Sequence, residues 1–151
     1  MVALYEINTQ GTPFEGEIPA GIFNLPLMRD VYMEDGKWSS LPAAMPIPTP
    51  TPLRRFYLNG NQFTSLPDLS AMVWADGAKI KIRNNFLTFD DIIPNIGIKD
   101  DSKVSAFEYS PQGPIGTDQT INVNAGQAIT LESAIDDTES NVYAWFKDGG
   151  E

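Results

Sequence analysis

The chain has 151 residues, with 10 Lys and Arg against 20 Asp and Glu, no histidine and no cysteine, for a net charge of −10. These counts exclude a Ser-His-Asp or Cys-His nucleophilic site, a His-ligated zinc or iron centre, a thiolate metal site and any disulfide; the acidic balance argues against a nucleic-acid partner, because phosphate binding needs a basic field. No apolar run reaches the length of a membrane span and no charged-then-apolar leader opens the chain, so neither membrane insertion nor a signal peptide is expected in this stretch, although a fragment could have lost both.

In chain order, apolar residues recur at one spacing. Leu4, Ile7, Thr9, Thr12 and Phe14 come first and run into Gly16-Glu17-Ile18-Pro19. Met28, Val31, Met33, Gly36 and Trp38 follow, before Leu41-Pro42. The clearest copy runs from Leu53 to Pro67, with Leu53, Phe56, Leu58, Asn61, Phe63 and Leu66 in the frame L-x-x-L-x-L-x-x-N-x-L-x-x-L-P. Gly77, Ile80, Ile82, Asn85 and Leu87 fill the frame again, and Val104, Phe107 and Tyr109 offer a last strand before Ser110-Pro111-Gln112. The starts at 4, 28, 53, 77 and 104 lie 24, 25, 24 and 27 residues apart. Such a unit is a short strand, a sharp turn and a return segment, and it buries its apolar edge only against a neighbour.

The leucine and phenylalanine slots are therefore expected to form a stacked core, and Asn61 and Asn85 to bond backbone at the turns. Gly36 and Thr12 interrupt that asparagine row, so their turns need other hydrogen-bond partners. Among the return segments, Ala20 to Leu25 is expected to make a single helical turn before Pro26. Proline at every second position from Pro46 to Pro52 forbids a regular helix and favours polyproline II. The repeat period accounts for that run, which leaves its reading as an SH3-type ligand subordinate.

Residues 4 to about 112 resemble the end of a leucine-rich repeat domain. Leu87 to Gly97 together with Phe107 to Gln112 is similar to the closing element of such domains in bacterial surface and secreted proteins. Further on, Ile121-x-Val123-Asn124-Ala125-Gly126-x-Ala128-Ile129-x-Leu131 and Tyr143-x-Trp145-Phe146-Lys147-Asp148-Gly149 resemble the first strands of a bacterial immunoglobulin-like domain. The resemblance implies an α/β class: a leucine-rich repeat solenoid over 1–112, with a parallel concave sheet and mostly irregular convex segments, then a short all-β, partial immunoglobulin-like segment over 113–151. A complete sandwich of that kind needs roughly 100 residues. The second segment is accordingly expected to be truncated, the chain to be a piece of a larger protein, and that parent to be extracellular or at the cell surface.

The doublets Asp90-Asp91, Asp100-Asp101 and Asp136-Asp137 are the candidates for carboxylate catalysis or calcium ligation, as a less favoured carboxylate-dependent glycosidase or calcium-dependent adhesin would require. Thr88-Phe89-Asp90-Asp91 ahead of Ile92-Ile93 has the form of a helix capping box. The other two pairs sit beside Lys99, Lys103, Thr138 and Ser140 in polar stretches that read as solvated loops. No enzyme activity and no cofactor are expected.

Function is then sought on the strand positions between the core slots, because alternate side chains face opposite sides. These are Tyr5, Glu6 and Asn8; Arg29, Asp30, Tyr32, Glu34 and Asp35; Arg54, Arg55, Tyr57 and Asn59; and Lys79, Lys81, Arg83 and Asn84. Five of the 10 basic residues, Arg54, Arg55, Lys79, Lys81 and Arg83, fall on two neighbouring strands. The expected face is acidic in its N-terminal half and basic in its C-terminal half, with Tyr32 and Tyr57 adjacent between them. The ligand-binding set is Tyr32, Arg54, Arg55, Tyr57, Lys79, Lys81 and Arg83, for a protein partner first and a polysaccharide second, since tyrosine and arginine are enriched at hot spots. The competing expectation is a structural spacer whose charges balance across strands. Self-association through the C-terminal strands is a further expectation, because unpaired strands expose edges.

Overall fold

The computed structural model describes residues 4–43, 45, 52–116 and 120–130. The chain divides into two compact units, Met1–Gly113 and Pro114–Glu151. Among the described residues of the first unit the strands are β1 (Glu6–Asn8), β2 (Glu15–Glu17), β3 (Asp30–Tyr32), β4 (Lys37–Ser40), β5 (Leu53–Tyr57), β6 (Trp74–Lys81) and β7 (Val104–Glu108), with one short α-helix, α1 (Phe89–Ile92), that runs on into a 3₁₀ helix, Ile93–Asp100. β1, β3, β5, β6 and β7 form one parallel sheet in chain order, and β2 pairs in parallel with β4. A parallel neighbour cannot be reached by a hairpin, so each connection must carry the chain back to the start of the next strand. The class is α/β, a parallel sheet with few helices.

The strands form where the spacing puts a branched or aromatic residue between polar ones. Val31, Phe56 and Ile80 are fully buried and paired in register across β3, β5 and β6, and Phe107 continues the row on β7. Met33, Leu58 and Ile82 form the next buried row. Return segments close the core from the other side with Ile18, Phe23, Leu41, Leu69, Met72 and Ile98. Phe56 sits among aromatics, edge-on to Phe23 at 6.0 Å and tilted against Trp74 at 6.1 Å.

After β1, β3, β5 and β6 the chain turns sharply through one left-handed residue. Gly11 (φ 70), Asp35 (φ 56), Gly60 (φ 70) and Asn84 (φ 55) occupy this place in turn. Glycine, asparagine and aspartate are the residues that tolerate it. Their backbone N–H groups reach across to the next turn, Gly11 to Glu34 O, Asp35 to Asn59 O and Gly60 to Arg83 O.

The following residue is the asparagine slot. Asn61 Nδ2 donates to Met33 O (2.6 Å) and Leu58 O (3.0 Å), while its Oδ1 accepts from Trp38 N (3.1 Å). Asn85 repeats the pattern with Leu58 O (3.1 Å), Ile82 O (2.9 Å) and Phe63 N (3.1 Å). Each amide thus joins two consecutive turns. Where asparagine is missing, the Thr12 hydroxyl donates to Thr9 O (2.5 Å), and Gly36 leaves its space to Asn61, whose Oδ1 would stand 3.0 Å from a Cβ there. The row ends on Gln112, which the spacing did not single out as a rung. Its Nε2 donates to Tyr109 O and to Ile82 O, and its Oε1 accepts from Asn85 N (3.0 Å) and Leu87 N (3.4 Å).

Other sequence expectations are met or displaced locally. Ala20–Ile22 forms a 3₁₀ turn, and Asp91 Oδ2 accepts from both Thr88 N and Thr88 Oγ1 at 2.8 Å in a capping box. Leu4, assigned to a core slot, is 45% exposed, because β1 is an edge strand with no neighbour on that side among the described residues. Phe14 is also exposed, yet its ring lies 5.6 Å from that of Trp38. Gly77 does not hold the first slot of its copy. Trp74 pairs with Leu53 instead, Arg55 pairs with Lys79, and the residues between bulge out with Gly77 at φ 72. Glycine has nothing to bury there, whereas Trp74 fills the place beside Phe56. The expected polyproline segment falls mostly on 46–51, outside the described residues.

In the second unit, residues 120–130 are exposed and form no strand. The strand expected at Ile121 to Leu131 is therefore not seen among the described residues, where only a turn closes, Gln127 N to Asn124 O at 3.0 Å. Ile121, Val123 and Ile129 have no facing strand there to bury them, and an alternating segment needs one. Tyr143 and Trp145 lie outside the described residues.

Candidate functional site

The side of the five-stranded sheet away from the core carries three rows of side chains set by the strand register. One row reads Glu6, Asp30, Arg55, Lys79 and Ala106; the next reads Asn8, Tyr32, Tyr57, Lys81 and Glu108. Beyond the strand ends, Glu34, Asn59 and Arg83 follow the second row, tied by the turn hydrogen bonds.

Tyr32 and Tyr57 meet edge to face, with ring centroids 5.3 Å apart and planes at 85°. Burial raises both phenols above their usual pKa, so the pair stays neutral through the physiological range. Lys81 Nζ stands 4.6 Å from the centroid of the Tyr57 ring, a cation–π contact.

The register keeps Glu6 and Asp30 on β1 and β3 and Arg55, Lys79 and Lys81 on β5 and β6, but it also sets acids against several of the cations, with Glu108 closing the row on β7. Arg54 grips Asp30 with two parallel bonds, Nε to Oδ1 at 2.9 Å and Nη2 to Oδ2 at 2.6 Å, and Asp30 is only 5% exposed. This bidentate pair raises the Arg54 pKa further above its ordinary value. Lys81 and Arg83 flank Glu108 on β7 at 3.9 and 3.7 Å. Three of the five clustered cations are thus matched across strands by two acids. Glu108 lies outside the apolar frame Val104, Phe107 and Tyr109 of the last strand; its place one residue after Phe107 is the signal that finds it.

Arg55 and Lys79 are the two of the five with no carboxylate at ion-pair distance among the described residues. Arg55 Nη1 donates instead to Arg54 O (3.0 Å) and Gly77 O (3.4 Å). The set of seven candidate residues is therefore contiguous on one face, with Arg54, Lys81 and Arg83 engaged by acids of the chain itself.

Glu34, counted on the acidic half, is 8% exposed, and its Oε2 is buried with no hydrogen-bond partner among the described residues. Burial, reinforced by Asp35, pushes its carboxyl pKa up. The folded chain then holds this proton more tightly than the unfolded chain. The associated stability is fully present below the unfolded glutamate pKa and is lost as pH rises through the folded value. Glu34→Gln is expected to raise stability at neutral pH by about 1 kcal/mol, with the gain fading in acid. Urea melts at the two pH values check this, and a lower midpoint at neutral pH would mean that the carboxylate has a stabilising partner.

Among the described residues the acidic doublets do not converge on one site. Asp90 and Asp100 are exposed, Asp91 is engaged by Thr88, and Asp136 and Asp137 lie outside the described residues. Among the described residues no three His, Cys, Asp or Glu side chains gather as metal ligands, and no helix is long and apolar enough to cross a membrane. One buried polar residue that the spacing did not flag, Asn95, is structural: its Oδ1 accepts from Leu69 N (2.7 Å) and its Nδ2 donates to Pro67 O (3.1 Å). Comparison of the chain with protein-family models, with curated proteins and with solved structures finds no match.

Proposed function

We propose that residues 1–112 are the closing repeats of a leucine-rich repeat solenoid and act as a non-catalytic module that recognises a protein through the outer face of the parallel sheet. The fold reading is supported by the recurrence of one strand-and-turn unit, with an amide side chain at 61, 85 and 112 bonding the same backbone groups each time. The binding reading is carried by the Tyr32–Tyr57 pair in the middle of a face made, Ala106 apart, of charged and amide side chains. Aromatic anchors ringed by polar groups are the usual composition of an interaction hot spot. A surface or secreted bacterial parent, with an immunoglobulin-like segment beginning at 113, remains part of this proposal on the resemblance of the sequence.

The test uses the immobilised chain to capture proteins from a cell-surface extract. Tyr57→Ala and Tyr32→Ala are each expected to weaken capture of the retained protein by about 2 kcal/mol while moving the thermal midpoint little. Capture indifferent to both changes would sink the face as the site. The second reading, a structural spacer, is favoured by one observation: Asp30 and Glu108 pair with Arg54, Lys81 and Arg83 on the face itself.

A further inference from the structure

We infer that the partner presents an acidic segment of polypeptide, seated across Arg55 and Lys79 beside Tyr57; this rests on the reading of the sheet face as a recognition surface. The register pairs Arg55 with Lys79 on neighbouring strands. Like charges at opposed positions destabilise a sheet, and here no acid of the described chain offsets them. On one side of the row the next residue is Asp30, already gripped by Arg54 through both oxygens. On the other side it is Ala106, which carries no charge. Two adjacent cations therefore stand without an ion-pair partner among the described residues, in a chain whose net charge is −10.

The geometry around them suits carboxylates. Arg55 is held in place by Arg54 O and Gly77 O through one nitrogen, which leaves guanidinium donors for a ligand and reduces the entropy lost when one binds. Tyr32 and Tyr57, neutral across the physiological range, add apolar ring area and phenol donors beside the cations. A sugar chain would need an open aromatic face to stack on. The two rings stand edge to face, and Lys81 already covers one side of Tyr57. Acidic side chains on a polypeptide need only the cations and donors.

The probe is a fluorescein-labelled oligoglutamate peptide followed by anisotropy, with an oligoglutamine peptide of equal length and polygalacturonate in parallel. Wild-type protein is expected to bind oligoglutamate and to lose about tenfold in affinity with Arg55→Glu or Lys79→Glu, and more with both. Glu108→Gln, which frees Lys81 and Arg83, is expected to strengthen binding about threefold. If a charge reversal prevents folding, Arg55→Gln and Lys79→Gln carry the same test, with a loss of a few fold. Unchanged binding in these variants, or equal binding of oligoglutamine, overturns the inference, and tighter binding of polygalacturonate than of oligoglutamate overturns its assignment to a polypeptide. Should oligoglutamate fail while tyrosine-dependent capture holds, the acidic segment falls and the recognition face stands. Should the tyrosines prove irrelevant to capture, the face itself falls.

Discussion

Asn85→Asp is expected to cost about 4 kcal/mol, a large part of the roughly 5–15 kcal/mol that holds a domain folded. The change keeps the shape of the side chain, so no cavity is involved. What it alters is polarity. Asn85 is 1% exposed, and its Nδ2 faces three carbonyls, those of Leu58, Ile82 and Arg83. An aspartate would aim a carboxylate oxygen at all three, take from each carbonyl one of its two donors, the others being Asn61 Nδ2, Gln112 Nε2 and Gly60 N, and bring a charge into the core. Either the charge stays and repels, or the group takes up a proton and supplies one donor where two strong bonds stood. Urea unfolding at neutral pH measures the loss, which should shrink in acid as the carboxyl protonates. A loss under 1 kcal/mol would mean that the turn opens to water and the amide row contributes little.

Phe56→Ala is expected to cost a similar amount, about 4 kcal/mol, by a different route. Phe56 is fully buried between Phe23, Trp74 and the registered partners Val31 and Ile80. Removing the ring leaves a void lined by the backbone of three strands and by aromatics that cannot close on it, since the strand spacing is held by hydrogen bonds. The urea midpoint should fall with the slope unchanged, and Phe56→Leu should recover more than half of the loss. Recovery of less than that would point to the ring contacts with Phe23 and Trp74 rather than to volume. The aromatic geometry contributes about 0.5–1.5 kcal/mol per pair.

Much of the fold could be read from residue spacing. Apolar positions three and two residues apart, repeated after about two dozen, marked the buried sides of β3, β5, β6 and β7, and Asn61 and Asn85 were legible as turn residues because a buried amide there meets several backbone groups. One further signal lay in plain view: Gly11, Asp35, Gly60 and Asn84, each just before the turn slot, are the residue types that accept a left-handed backbone. Gln112 was less legible, since glutamine in an asparagine place becomes a rung only if its longer side chain finds Ile82 O and Leu87 N. The first slot of the fourth copy went to Trp74 because the bulge at Gly77 depends on what fills the space beside Phe56 and not on counting.

The seven candidate site residues came from the sequence as one group, and it was the structure that divided them. Arg54, Lys81 and Arg83 are held by Asp30 and Glu108, while Arg55 and Lys79 stand side by side with no carboxylate at ion-pair distance among the described residues. By itself the sequence determined which residues of β3 and β5 face the core, because the apolar slots recur at fixed steps of three and two residues. Which side chains meet across strands was decided only by the tertiary structure. Register between strands two dozen residues apart turns on bulges, edge positions and the volume of the core beneath them, and a charge is spent or free according to the neighbour that register supplies.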